Sequence, residues 1–168
     1  MRGTIPPLPA LTLMTAAHTS AFAVLPIAVS SLGERHGWSR DRPGSANLAA
    51  GVPVLITGVG IYAWTVATHL KQAQPGWQIA LTPDYLARSG PYRLSRNPMY
   101  LAQLTLWAGW AALFGSLPVA GGLAAWTAFV TGLVRWEERS LHKRWGATYD
   151  AYRRRVPRWA ALPGRGTR

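Results

Sequence analysis

The chain contains no cysteine, which excludes disulfides, thiolate nucleophiles and cysteine-based metal sites. Its histidines are few, His18, His36, His69 and His142, and their spacing matches no ligand motif, so no metal is expected. Acid is scarce: six Asp and Glu stand against 18 Lys and Arg, a formal net charge of +12. Charged residues of both signs make up 14% of the chain and hydrophobic residues 49%, a charge share well below that of soluble domains. An excess of base is also the footprint of nucleic-acid binding, but its distribution along this chain argues for a membrane instead. What is plentiful agrees with that: 17 Gly, 13 Pro and 9 Trp, residues enriched in membrane helices and at their interfaces. At 168 residues a single domain is expected.

Four apolar segments stand out, at about Leu8 to Leu32, Leu48 to Leu70, Met99 to Leu117 and Val119 to Val134. Each approaches the roughly 17–25 residues a helix needs to cross a bilayer. The last two are separated only by Gly115-Ser116-Leu117-Pro118, which predicts a tight helical hairpin, and the fourth is short enough to continue past Glu137 as it leaves the membrane. In the first segment, Arg2, an apolar run and Ala21-Phe22-Ala23 also resemble a signal peptide; because apolar sequence continues past that site, it is read as a retained span. The expected fold is therefore all-α: an integral membrane protein of about four transmembrane helices with C-terminal amphipathic helices. With four spans, one side of the membrane carries 15 of the 18 basic residues and the other 3. The positive-inside rule then places both termini in the cytoplasm. Arg153-Arg154-Arg155 suits attraction to anionic headgroups, worth about 1 kcal/mol per basic residue.

The densest stretch is Ser89 to Tyr100, SGPYRLSRNPMY. Gly90, Pro91 and Pro98 interrupt regular structure, and Pro98 suits the first turn of the helix that follows. Its arginines and tyrosines read first as an interfacial anchor. The connector from Lys71 to Asn97 that contains it is long for a compact membrane protein, as functional loops are.

Glu137 and Glu138 are the most informative acids. A carboxylate near the bilayer costs about 2.5–3.5 kcal/mol on insertion scales and so calls for a cation. That partner is either structural (Arg93, Arg96, Arg135 or Arg139) or a cationic ligand. Gly58 and Gly60 lie inside the second span, where they either let a ligand approach the backbone or simply let helices pack. Tyr149 and Tyr152 share a face of a basic C-terminal helix suited to the membrane surface, or to serving as a lid.

In order, SGPYRLSRNPMY, an apolar hairpin and EERSLHKRWGATYDAYRRRVPR resemble the isoprenylcysteine carboxyl methyltransferase and phospholipid methyltransferase superfamily of integral membrane enzymes. Its pattern is G-x-Y-R…R-H-P-x-Y, then E-E…L…F-G…Y…Y…V-P-R. The resemblance covers about residues 58–158 of what is read as one domain over 1–168, residues 1–46 forming an additional span and loop. It implies S-adenosylmethionine as methyl donor and a hydrophobic or lipidic acceptor entering from the bilayer, methylated on a carboxylate oxygen or an amine nitrogen. The implied donor pocket comprises Leu86, Ala87, Tyr92, Asn97, Pro98, Met99, Tyr100, Glu137 and Glu138, with Gly58 and Gly60 matching a G-x-G of the phospholipid enzymes. Glu138 would balance the donor's charge, and Arg135 lies near where the isoprenylcysteine enzymes hold a substrate carboxylate. One departure is Asn97, where the pattern has histidine; asparagine can make hydrogen bonds but cannot titrate. It leaves open a non-catalytic protein that kept the fold. A nicotinamide-dependent membrane reductase with a related helical core is a further alternative, against which the glutamate pair and short chain argue.

Overall fold

The computed structural model describes residues 7–72 and 85–160, and helix dominates both stretches. Arg2, the connector residues Pro75, Gly76 and Pro83, and the terminal Arg165 and Arg168 lie outside them. The first apolar segment forms α1 (Pro7–Thr19), a π-helical turn (Ser20–Val24) and α2 (Leu25–Ser30). The wide turn directly precedes Pro26, where the helix loses a backbone donor. The second forms α3 (Ser45–Gln72), the third α4 (Pro98–Phe114) and the fourth α5 (Leu117–Arg155). Among the described residues, α3 and α5 are long and apolar enough to cross a membrane. Large apolar side chains on both remain uncovered, among them Ile56, Val59 and Phe129, as lipid-facing surfaces require.

Only Gly115 and Ser116 separate α4 from α5. Gly115, in the left-handed conformation, caps α4 through its N–H to Ala111, and Pro118 fits the first turn of α5. At this end of the molecule the sequence expectation needs one addition. The loop after α2 contains a small hairpin, β1 (Trp38–Ser39) paired with β2 (Arg42–Pro43). Its turn residues Arg40 and Asp41 both have positive φ, as a two-residue hairpin turn demands. The hairpin and the start of α3 close the α4 terminus: the Trp38 indole donates to the Leu113 carbonyl at 2.8 Å and Asn47 of α3 donates to the Ala112 carbonyl. These are carbonyls that the helix end leaves without partners.

Helices α3 and α4 lie backbone to backbone. A Cβ on Gly51 would sit 2.6 Å from the Leu113 Cβ and 2.7 Å from its backbone, and one on Gly58 2.9 Å from Leu106. Gly60, two residues on, faces open space. Gly51→Ala should therefore destabilise the bundle by about 1–3 kcal/mol through overpacking. Gly60→Ala should be neutral or stabilising by up to about 1 kcal/mol through helix propensity. Thermal melting of the two variants in detergent measures the contrast.

The fourth segment extends much further than its apolar part. At 1.5 Å per residue, the 39 residues of α5 would reach about 58 Å if straight, against a hydrocarbon core of about 30 Å. It is not straight. Gly146, with φ 47° and ψ −125°, breaks the helical path in a conformation that side-chain-bearing residues rarely take. Beyond the break, Tyr149, Tyr152 and Val156 form a buried cluster with Leu86, Leu141 and Trp145.

Candidate functional site

The site lies at the end of the bundle opposite the β-hairpin, where SGPYRLSRNPMY enters α4. Gly90–Arg93 form a 3-10 turn, Pro91 and Pro98 are buried, and α4 begins at Pro98. The C-terminal segment is fastened onto this turn by a series of hydrogen bonds. The Tyr152 hydroxyl donates to the Tyr92 carbonyl at 2.8 Å, and the Arg96 N–H donates to the Pro157 carbonyl at 2.9 Å. The Ser95 hydroxyl and the Asn97 amide both donate to the Arg158 carbonyl, at 3.2 and 3.0 Å. The C-terminal segment thus covers the motif, with Leu86 packed against its tyrosines and Ala87 buried.

Adjacent residues on a helix point about 100° apart, and the two glutamates of α5 meet different neighbours. Glu138 is held by two guanidinium groups. Arg158 grips it through Nε at 3.1 Å and Nη2 at 2.7 Å, while Arg96 Nη1 lies 3.1 Å from Oε1. The hydrogen bonds to Glu138 raise Arg158 above the usual guanidinium range. Glu137 instead accepts one hydrogen bond, from the Tyr100 hydroxyl at 2.8 Å. Among the described residues no arginine or lysine lies within ion-pair reach of it. Of the two glutamates, Glu137 is therefore the one without a cationic partner among the described residues.

Beside this pair stands a chain of rings. His69, near the end of α3, bonds the Tyr92 hydroxyl through Nε2 at 2.8 Å and the Tyr85 hydroxyl through Nδ1. Burial, then Tyr85, Tyr152 and Glu137, push the Tyr92 phenol well above its ordinary range, so it remains a neutral hydrogen-bonding group. Gly90 approaches α3 so closely that a Cβ there would meet the Thr68 hydroxyl. This contact docks the turn on α3 and sets Tyr92 against His69.

The sequence profile of the phospholipid methyltransferase family matches residues 46–148, from the start of α3 through the glutamate pair to the Gly146 break. The chain belongs to that family. Over 67 residues it is also 42% identical to methanethiol S-methyltransferase 2 of Bradyrhizobium diazoefficiens. That stretch is 39% of this chain and 25% of the relative's length. No solved structure matches.

The residues expected from the family resemblance do not all converge. Leu86, Ala87, Tyr92, Asn97, Pro98, Met99, Tyr100, Glu137 and Glu138 belong to the segments that meet at this end. Gly58 lies 11 residues before His69, about 16 Å along α3, packed on Leu106, and Gly60 is close to it with nothing opposite. Arg135 is exposed on α5 and makes no ion pair among the described residues. Two contributors were not singled out from sequence. His69 fits no metal-ligand spacing, but a histidine at the end of a span followed by a tyrosine-rich connector is a usable signal. Arg158 belonged to the matched V-P-R but carried no assigned role; its partner Glu138 lies across the Gly146 break.

Proposed function

We propose that this family member is a membrane-embedded methyltransferase that draws on S-adenosylmethionine and methylates a hydrophobic acceptor. The observation that carries the reading is Glu137: a half-buried carboxylate beside the family motif with, among the described residues, one tyrosine partner and no cation. A negative charge so placed fits a cationic ligand. S-adenosylmethionine, when bound, supplies a methyl group on a positively charged sulfur. The chain's part is to bind, orient and exclude water. Glu137 offsets the positive charge, Tyr92 and Tyr100 wall the pocket, and Leu86 and Ala87 form its apolar side. Asn97, Pro98 and Met99 shape the turn, and Glu138 secures the lid through Arg96 and Arg158. Gly58 serves helix packing in this reading. Arg135, one turn before Glu138, remains the candidate for an anionic group on the acceptor.

Asn97 has a defined task here, holding the Arg158 carbonyl, which asparagine performs without titrating. Its presence in place of histidine is compatible with activity, and this favours an enzyme over a non-catalytic relative. The acceptor class includes the carboxylates and amines of lipids, and, on the strength of the relative's name, a small thiol. The uncovered apolar faces of α3 and α5 suit lateral entry from the bilayer, and the distribution of basic residues favours cytoplasmic termini and a cytoplasmic donor site.

The test uses detergent-purified protein. Calorimetry with S-adenosylhomocysteine should register binding. Incubation with methyl-labelled S-adenosylmethionine and either membrane lipid extract or short alkanethiols should yield a labelled hydrophobic product. Absence of both binding and product rejects the proposal.

A further inference from the structure

Thiols and amines carry a proton that must leave before or during methyl transfer, and Asn97 cannot accept it. The structure contains another route. The Tyr92 hydroxyl is bonded to His69 Nε2, and His69 Nδ1 to the Tyr85 hydroxyl. In a neutral imidazole one ring nitrogen donates and the other accepts, so this arrangement forms a directional chain when Tyr92 donates to Nε2 and Nδ1 donates to Tyr85. Tyr92 belongs to the family motif and lies near enough to Glu137 and Tyr100 to interact with both.

Building on the methyltransferase reading, we propose that His69 is the proton acceptor for a protic methyl acceptor, reached through Tyr92. In the step, the acceptor's S–H or N–H proton passes to the Tyr92 oxygen while the Tyr92 hydroxyl proton passes to His69 Nε2. The freed electron pair on sulfur or nitrogen forms the new bond to the methyl carbon, and the electrons of the old carbon–sulfur bond return to the donor sulfur. The imidazolium then gives its proton to water by way of the half-buried Tyr85. Among the described residues, the titratable and charged groups around this chain are Tyr85 and Tyr92 of the connector, Tyr100 of α4, and Glu137 and Tyr152 of α5, with the exposed Lys71 two residues beyond His69 on α3. Glu137 is the competing proton acceptor. Its carboxylate already accepts from Tyr100, and a neutral Glu137 would leave a cationic donor uncompensated.

The experiment compares wild type, His69→Gln and Tyr92→Phe with two acceptors of different acidity, ethanethiol and thiophenol. S-adenosylhomocysteine affinity serves as the check that each variant retains its site. With ethanethiol, kcat should fall about 100-fold or more in both variants. The variants' rates should keep rising with pH up to the thiol's own ionisation, where wild type has already levelled off. With the more acidic thiophenol the loss should shrink to less than about tenfold, because a nucleophile ionised in solution needs no base. A readout without turnover is the difference spectrum of thiophenol bound with S-adenosylhomocysteine. Wild type should show the thiolate band at a pH where free thiophenol is neutral, and His69→Gln should not. Equal losses with both acceptors, an unchanged pH profile, or a persistent thiolate band in His69→Gln overturns the proton role while leaving the methyltransferase reading intact. A wild-type protein that neither binds S-adenosylhomocysteine nor transfers methyl overturns both.

Discussion

Replacing Glu137 with glutamine is expected to weaken S-adenosylmethionine binding about 10- to 100-fold, the loss expected when a charge-assisted interaction of about 1.5–3 kcal/mol becomes a neutral one. The substitution keeps the size of the side chain and its ability to accept from Tyr100, so the 2.8 Å hydrogen bond can persist and the fold should be little disturbed. The informative comparison is with S-adenosylhomocysteine, which has the same amino-acid and nucleoside groups but an uncharged sulfur. If Glu137 faces the sulfonium, affinity for S-adenosylmethionine falls much further than affinity for S-adenosylhomocysteine. If it holds the amino group common to both, the two fall together. Calorimetry on one preparation distinguishes these outcomes, and no change in either affinity removes Glu137 from the site. Glutamine at position 138 supplies the control: that carboxylate is already shared between two guanidinium groups.

Replacing Glu138 with alanine is expected to act on stability instead. Arg96 and Glu138 are almost buried, with side-chain exposures of 12% and 14%. Removing the acid leaves Arg96 in a poorly solvated position facing a second positive charge. Breaking a buried pair costs about 3–5 kcal/mol; because Arg158 is 36% exposed and can turn to solvent, about 2–3 kcal/mol is expected here. The loss should concentrate in the lid. Amide exchange should quicken first across residues 149–158, where Tyr152 and the Arg158 carbonyl hold the motif, while α3 and α4 remain protected. Uniformly faster exchange throughout the bundle would count against a local clasp. Arg158→Ala, which leaves Arg96 paired with Glu138, should cost less, and a thermal melt of both variants in the same detergent gives the order.

The apolar runs, interrupted by glycine and proline, were enough to locate the helices, since an uninterrupted apolar stretch of that length has little alternative to helix in a bilayer. The α4–α5 turn was legible because Gly115 and Pro118 suit a helix end and a helix start. Less legible was the extent of α5, whose basic half has no apolar period continuous with the first, and the small hairpin at Trp38–Pro43, whose strands are too short to show alternation. For the site, the family pattern named segments that meet at one end of the bundle but not the pairing within them. Glu137 and Glu138 are indistinguishable by composition, yet their directions on one helix give the first to Tyr100 and the second to Arg96 and Arg158. Gly58 reads from sequence as either a ligand-contact or a packing glycine, and the structure sets it against Leu106.

By itself, the sequence determined that this is a helical chain with stretches apolar enough for a membrane, carrying the motif order of its family. Those properties follow from composition and local spacing, which operate over a few residues. Tertiary structure alone decided which carboxylate of the pair meets no cation among the described residues, that Asn97 holds the C-terminal segment, and that His69 stands behind Tyr92. Each depends on side chains 20 to 61 residues apart meeting through the turn at Gly90 and the break at Gly146. Such meetings are set by helix direction and packing, which no local pattern encodes.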